Sequence, residues 1–574
     1  MARSDTMGQP VAGPCNYLQI GRGSIAGAAQ LAAVGAFILV SVLFLDNQYR
    51  VLPSAIHNHL PAHHDGLVIT DITVKTCSKL NPFSTCKLDP DTWHRIDKDL
   101  YLGQGWTSSA YLHVKRQKEE DLGPEDHVIL DVRVGRLDPS TSAKNAGNQK
   151  WEPRPAGLWL VRSSKRHESD SDSAITAVDV LFGPDAVEPR PGWRIRDTPL
   201  LLESDQTSES TSAFEAHITV RSGALHRVEK PIPRIRKDGR FKIMQLADLH
   251  LSTGFGACRD AEPAGHNGGR CEADPRTLNF VERLLDDEQP DLVVLSGDQV
   301  NGDTAPDVPS AIYKIASLLT KRPHPIPWAA IFGNHDDEGK PGLSRASQMD
   351  VMRSLPYSLA EPGPDNVDGV GNYYVEVLAP GQSQHSALTL YMLDSHGYSP
   401  DERQFRGYDW IKDSQIKWFK DTAASLKRAH AKYTKIHLAL AFIHIPLPEL
   451  RDPGNPVVGS WRETVTAPGF NSGFKDALVD ARVLALGCGH DHVNDYCMLQ
   501  QREQHPELWM CYGGGAGFGG YAGYGGYHRR VRVFEVDTNE ASVRTWKRLE
   551  YGDTAARVDE QVIITGGHVV APDR

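Results

Sequence analysis

Trp328-Ala-Ala-Ile-Phe-Gly-Asn-His-Asp336 is the stretch that decides the fold. Five uncharged apolar residues run into a glycine, and the glycine into three side chains able to hold metal or protons. A short apolar run bounded by glycine reads as a strand buried on both faces. The same pattern recurs four times. Phe241-Lys-Ile-Met-Gln-Leu-Ala runs into Asp248-Leu-His250, and Asp291-Leu-Val-Val-Leu-Ser runs into Gly297-Asp298. His437-Leu-Ala-Leu-Ala-Phe-Ile runs into His444, and Arg482-Val-Leu-Ala-Leu leads to Gly489-His490-Asp491-His492. Helix signals lie between these strands: Asp274-Pro275 as a helix start, then Ser310 to Thr320 and Asp413 to His430. Alternating strands and helices predict an α/β domain over 237–555, with its ligand site beyond the carboxyl ends of the strands.

Five strands that each deliver Asp, Asn or His to one end of a sheet converge on one point. Imidazole and carboxylate together suit Zn, Fe or Mn, and the absence of thiolate argues against a structural zinc site. Glycine precedes Asp298, Asn334 and His490, where the backbone turns sharply beside the cluster. As ordinary core residues, seven such groups would each need an unrelated buried partner.

The series Asp-x-His, Gly-Asp, Gly-Asn-His-Asp, His, Gly-His-x-His resembles the calcineurin-like metallophosphoesterase superfamily over residues 237 to about 550. The flanking features resemble a fungal membrane-anchored branch of it, loosely related to purple-acid-phosphatase-like plant proteins. The resemblance implies an α+β sandwich with a two-metal centre. Asp248, His250 and His492 would hold one ion, Asn334, His444 and His490 the other, and Asp298 would bridge them. His335 would face the substrate as catalytic acid, while Asp336 would orient backbone or His335 rather than bind metal. The activity implied is phosphomonoester hydrolysis by a metal-bridging hydroxide. Hydrolysis of nucleotide or lipid-headgroup diesters, or a non-catalytic membrane-tethered scaffold, are the alternatives. Purple acid phosphatases carry a tyrosine ligand three residues after the bridging Asp. Asn301 stands there, so no purple chromophore is expected. The Ser/Thr phosphatases carry at that position an Asp that partners the catalytic His, so His335 would either be less basic or use Asp303 or Asp336.

Outside this domain, Ala26 to Leu45 has no charged side chain and predicts an uncleaved transmembrane anchor. Arg3 and Arg22 before it, against Arg50 after it, place residues 1–25 in the cytosol and the catalytic domain in the lumen or outside. The lack of any Asn-x-Ser/Thr sequon weighs against a secretory lumen. Residues 46–65 read as a stalk and 66–230 as a β-rich module. A loose tail is expected over 556–574. Gly513 to Gly526 holds nine glycines and reads either as a flexible surface loop or as a substrate-side loop. Cys77 with Cys86, and Cys258 with Cys271, would close local loops in an oxidising compartment and be free thiols in cytosol. Cys488, Cys497 and Cys511 leave an odd count, with Cys488 read as core. A net charge of −11, spread along 574 residues, excludes a protein that grips nucleic acid by bulk positive charge. With hydrophobic residues at 40%, the chain can bury large cores, which excludes a mostly disordered protein. The partner expected is a phosphorylated substrate.

Overall fold

The computed structural model describes residues 22–49 and 66–572, apart from 82, 106, 124–125, 142–149, 164–171, 203–214, 229, 340–341, 435 and 523–525. Helix α1 (Arg22–Tyr49) contains the expected anchor, and its described side chains from Gln30 to Val40 are exposed. Yet among the described residues no helix is long and apolar enough to cross a membrane. The expectation of a span over 26–45 is therefore not supported. Its first part, Ala26 to Ala33, is alanine and glycine apart from Gln30 and Leu31, so strong apolarity is confined to the second part. Residues 1–21 and most of the expected stalk lie outside the described residues.

The module after position 66 is all β, as expected, but it is three small sheets around one core. They comprise β1 (Leu67–Ser78), β2 (His94–Arg95) and β3 (Ser108–Lys118); β4 (Ile129–Val134), β5 (Trp151–Arg154) and β6 (Leu158–Arg162); and β7 (Ile175–Phe182), β8 (Trp193–Ile195) and β9 (Ala216–Ser222). In each sheet the last strand in sequence, or in the second sheet β6, lies in the middle. Ile72, Leu112, Val132, Leu160, Val180 and Ile218 from all three sheets share one apolar cluster.

The domain that follows the β module is built from three chain segments. The first supplies β10 (Arg240–Leu246), β11 (Leu292–Ser296) and β12 (Trp328–Ile331). The second supplies β13 (Tyr373–Leu378), β14 (Ser386–Met392), β15 (Leu438–Phe442), β16 (Val457–Val458), β17 (Ala485–Cys488), β18 (Cys497–Arg502) and β19 (His505–Tyr512). The third supplies β20 (Arg530–Asp537), β21 (Ser542–Leu549), β22 (Val558–Thr565) and β23 (His568–Val569). The first and third segments form one seven-stranded sheet, β12-β11-β10-β20-β21-β22-β23. The second forms the other, β13-β14-β15-β17-β19-β18-β16.

The two sheets face each other across Ile243, Val294, Ile331 and Phe534 on one side and Val375, Leu390, Leu440 and Trp509 on the other. Strand alternation sends the intervening residues outward. Met244, Val293 and Leu295 pack against α2 (Ala273–Glu288) and α3 (Val308–Thr320) through Val281, Leu284, Ile312 and Ile315. The short helix α4 (Arg345–Arg353) adds Met349 and Met352 to the same layer. On the second sheet, Tyr391 and Ala441 meet Phe419 of α5 (Asp413–His430) and Phe474 of α6 (Phe474–Asp480). β11, β12, β15 and β17 are buried along their whole length, covered on both faces, which is why their sequences are almost continuously apolar. The expected loose tail over 556–574 is instead part of the sheet. β22 pairs antiparallel with β21, Ile563 and Ile564 are fully buried, and the Val570 carbonyl accepts from Trp509 Nε1 at 3.0 Å.

Candidate metal centre

The parallel strands β10, β11 and β12 of one sheet, and β15 and β17 of the other, end at the same rim. Just past those ends the backbone takes left-handed turns on non-glycine residues: Asp248 (φ 58°), His250 (φ 48°), Asp298 (φ 52°) and His490 (φ 79°). Such conformations each cost of order 1–3 kcal/mol and persist where surrounding structure enforces them, typically at functional sites. Here the enforcement is visible. Asp248 N donates to the Gly297 carbonyl at 3.0 Å, and His250 N to the Asp298 carbonyl at 2.9 Å. A Cβ on Gly333 would overlap the Asp298 carboxylate, and one on Gly297 would overlap the His444 ring.

These turns bring the side chains together in two overlapping groups that share Asp298: Asp248, His250, Asp298 and His492, then Asp298, His444 and His490. All are buried. His444 Nε2 lies 3.2 Å from Asp298 Oδ2, and His492 Nε2 lies 3.3 Å from Asp248 Oδ1. The Nε2 atoms of His250 and His492 face each other at 3.2 Å. Asp298 Oδ2, His444 Nε2 and both amide atoms of Asn334 are buried without a hydrogen-bond partner. Orphaned donor atoms aimed at one point are what a cation pair would satisfy.

Electrostatics says the same. Burial disfavours a charged His444, but Asp298 and Asp248 outweigh it and lift its pKa to about 9. Burial likewise opposes an ionised Asp298, and the surrounding histidines overcome it and hold the carboxyl well below the usual range. His250 and His490 are pushed down by burial and by their neighbouring imidazoles. Cations there would take the place that protons hold otherwise.

A further layer of contacts fixes which ring atoms are available. The Ser296 carbonyl accepts from His444 Nδ1 at 3.0 Å, leaving Nε2 facing Asp298. The Tyr521 carbonyl accepts from His492 Nδ1 at 2.5 Å, and the Tyr521 ring stacks on His492 with centroids 4.0 Å apart. This is the usual device for presenting a histidine to a metal. Ser395 Oγ accepts from the backbone N–H groups of His444 and Ile445. Asp336 turns its carboxylate to backbone, accepting from the N–H groups of Asp298, Gly333 and Val300 at 3.0, 2.7 and 2.9 Å.

The glycine-rich segment is neither flexible nor on the surface between Gly513 and Gly520. It lies along the first motif, with Ala516 N bonded to the Ala247 carbonyl and Gly517 N to the Asp248 carbonyl, both at 3.0 Å. A Cβ on Gly517 or Gly519 would overlap the carbonyl oxygen of Leu249 or His250. The glycines are there because another backbone occupies the space.

His335 stands beside the cluster, its ring 5.2 Å from that of His250 and its side chain 34% exposed. Its Nδ1 contacts neither Asp303 nor Asp336 but Glu338 Oε2, a partner the sequence reading missed. The signal was present as an i, i+3 pair within His335-Asp-Asp-Glu338. Tyr408 stands edge-on to His490 at 4.3 Å and stacks with Tyr398, which is half exposed. Among the described residues three disulfides form: Cys77–Cys86 and Cys258–Cys271, the two pairs whose state the sequence left open, and Cys497–Cys511, a pairing the sequence reading did not propose. Cys488 is buried and free.

A family model described as calcineurin-like phosphoesterase matches residues 241–494. The chain is similar to phosphatase DCR2 of Saccharomyces cerevisiae, with 40% identity over 69% of this chain and 67% of that protein. It is 34% identical to an uncharacterized protein of Schizosaccharomyces pombe, over 86% of this chain and 90% of the other. It is also 35% identical to an Arabidopsis thaliana protein named "Probable inactive purple acid phosphatase 14", over 59% and 88% of the two chains.

Proposed function

This chain belongs to the calcineurin-like phosphoesterase family, and from that premise we propose that it hydrolyses phosphomonoesters at a two-metal centre. In this reading Asp248, His250 and His492 hold one ion of Fe, Zn or Mn, Asn334, His444 and His490 hold the other, and Asp298 bridges. Bound there, the ions supply Lewis acidity toward phosphate oxygens and an acidified water as nucleophile. The protein's own work is to present the ligand atoms, through the Ser296 and Tyr521 carbonyls, and to keep the rim rigid. His335, bound to no ion, gives a proton to the departing alkoxide oxygen.

The observation that carries this reading is the pair of buried donor groups that share Asp298, with Asp298 Oδ2, His444 Nε2 and the Asn334 amide left without a hydrogen-bond partner. A relative's name contains the word inactive, yet in this chain every position of the ligand series is filled by a metal-binding side chain. The test is hydrolysis of p-nitrophenyl phosphate and its bis ester by full-length protein, with and without added metal, beside elemental analysis. Metal-dependent turnover favouring the monoester is expected. A preference for the diester would move the assignment to a phosphodiesterase. Bound metal with neither activity would move it to a scaffold.

We further propose that the segment 26–45 attaches the protein to a membrane, with the catalytic domain outside the cytosol. Support comes from its uncharged sequence, the exposed Leu31, Phe37, Leu39 and Val40, and three disulfides that belong to an oxidising compartment. Extraction by alkaline carbonate, or digestion of the catalytic domain by protease in sealed cytosol-side-out vesicles, would overturn it.

A further inference from the structure

We propose that Glu338 positions His335 for proton transfer, taking the place of a carboxylate at position 301; this rests on the phosphoesterase reading above. Three carboxylates lie near His335 in sequence, and only one is available to its ring. Asp336 spends both oxygens on backbone N–H groups. Asp337 faces Arg345 at 3.2 Å. Glu338 Oε2 meets His335 Nδ1.

The turn is built to keep it there. Gly302 N donates to the His335 carbonyl at 3.0 Å. A Cβ on Gly302 would overlap the Glu338 carbonyl oxygen, and Gly339 adopts φ 90° with its own Cβ position overlapping the Gly302 carbonyl oxygen. Two glycines thus let the 335–339 turn lie directly on residues 301–302. Asn301 brings no charge to that spot, and Glu338 brings one from the opposite strand end.

A carboxylate only accepts, so a proton is held on Nδ1 and Nε2, across the ring, is the atom that faces outward. In the reaction His335 acts as the imidazolium, protonated on both nitrogens: the phosphorus–oxygen bond to the leaving group breaks, its electron pair goes to the leaving oxygen, that oxygen takes the proton from His335 Nε2, and the ring is left neutral with its remaining proton on Nδ1 toward Glu338. Glu338 gains no proton. It fixes the ring orientation and tautomer, as the acid of a catalytic triad does for its histidine.

The test has two arms. In full-length protein labelled with nitrogen-15 histidine, the His335 signal is identified by its loss in His335→Ala. It should report a proton on Nδ1, and Glu338→Ala should shift it toward the Nε2 tautomer. An unchanged signal would overturn the proposal. In metal-loaded protein, Glu338→Ala should lower kcat on an alkyl phosphate at least about 10-fold, with KM and metal content unchanged. In the His335→Ala background the same change should cost nothing more. A further loss there, or loss of metal, would overturn it. If the wild-type protein hydrolyses no phosphoester, the functional reading falls, and the nitrogen spectrum still decides the role of Glu338.

Discussion

Asn334 and His335 are neighbours with different work, because successive side chains at the end of a strand point different ways. The amide of Asn334 is buried with no partner, whereas His335 is a third exposed and paired with Glu338. His335→Ala should therefore retain both metals and its thermal stability while turnover falls about 10²–10⁴-fold. The deficit should be smaller for p-nitrophenyl phosphate, whose leaving group needs little protonation, than for alkyl phosphates. Equal deficits on both would remove His335 as the acid. Asp298→Ala, by contrast, should abolish turnover and strip both metals, which elemental analysis would read. At this scale the candidate ligands were legible because each follows its strand within a few residues. Glu338 was not legible in that way. Which of three nearby carboxylates reaches His335 depends on how the turn folds over Gly302.

Asp495 ties the two sheets together. It leads into β18, while its side chain pairs with Arg530 of β20 and, at 2.8 Å, with Lys547 of β21. Burial opposes its ionisation, but Lys547 and Arg530 prevail and bring its pKa to about 2. Since that lies below the value in an unfolded chain, the stabilisation is complete above about pH 4 and is lost as pH falls toward 2, with a size of about 2 kcal/mol. Asp495→Asn removes the carboxylate that faces buried Arg530 and leaves Lys547 only Asp559, and should cost about 3 kcal/mol in chemical denaturation. A loss below 1 kcal/mol would show that water or other groups solvate them. Helices α2, α3 and α5 and the five apolar strands were readable from local pattern alone. The glycine-rich segment and β22 were not. The first is explained only by the backbone of residues 247–250 lying against it, and the second by pairing with β21 across two register shifts.

The β module is docked on the N-terminal half of helix α3. Lys98 reaches Asp307 at 3.0 Å, Phe182 N donates to Ser310 Oγ at 2.8 Å, and Asp185 meets the buried Lys314 at 2.6 Å. Leu181 enters the same apolar cluster as α2 and α3. Module and domain should therefore unfold in one calorimetric transition, and residues 237–572 made without the module should be soluble only poorly and bind metal weakly. Two separated transitions would show that the contact is incidental. One feature of the sheets reaches beyond the finished molecule. β10 is flanked on one side by β11, close in sequence, and on the other by β20, which the ribosome makes last of all the large segments. Every candidate ligand has been synthesised by His492, yet the stretch that clamps Asp248, His250 and His492, from Gly515 to Tyr521, and the strand that completes their sheet follow it. A nascent chain therefore carries the whole ligand set before it can assemble it. Metal capture therefore waits until synthesis has passed Tyr521 and β20, and until then the apolar strands of the first segment stay open to contact with neighbouring chains.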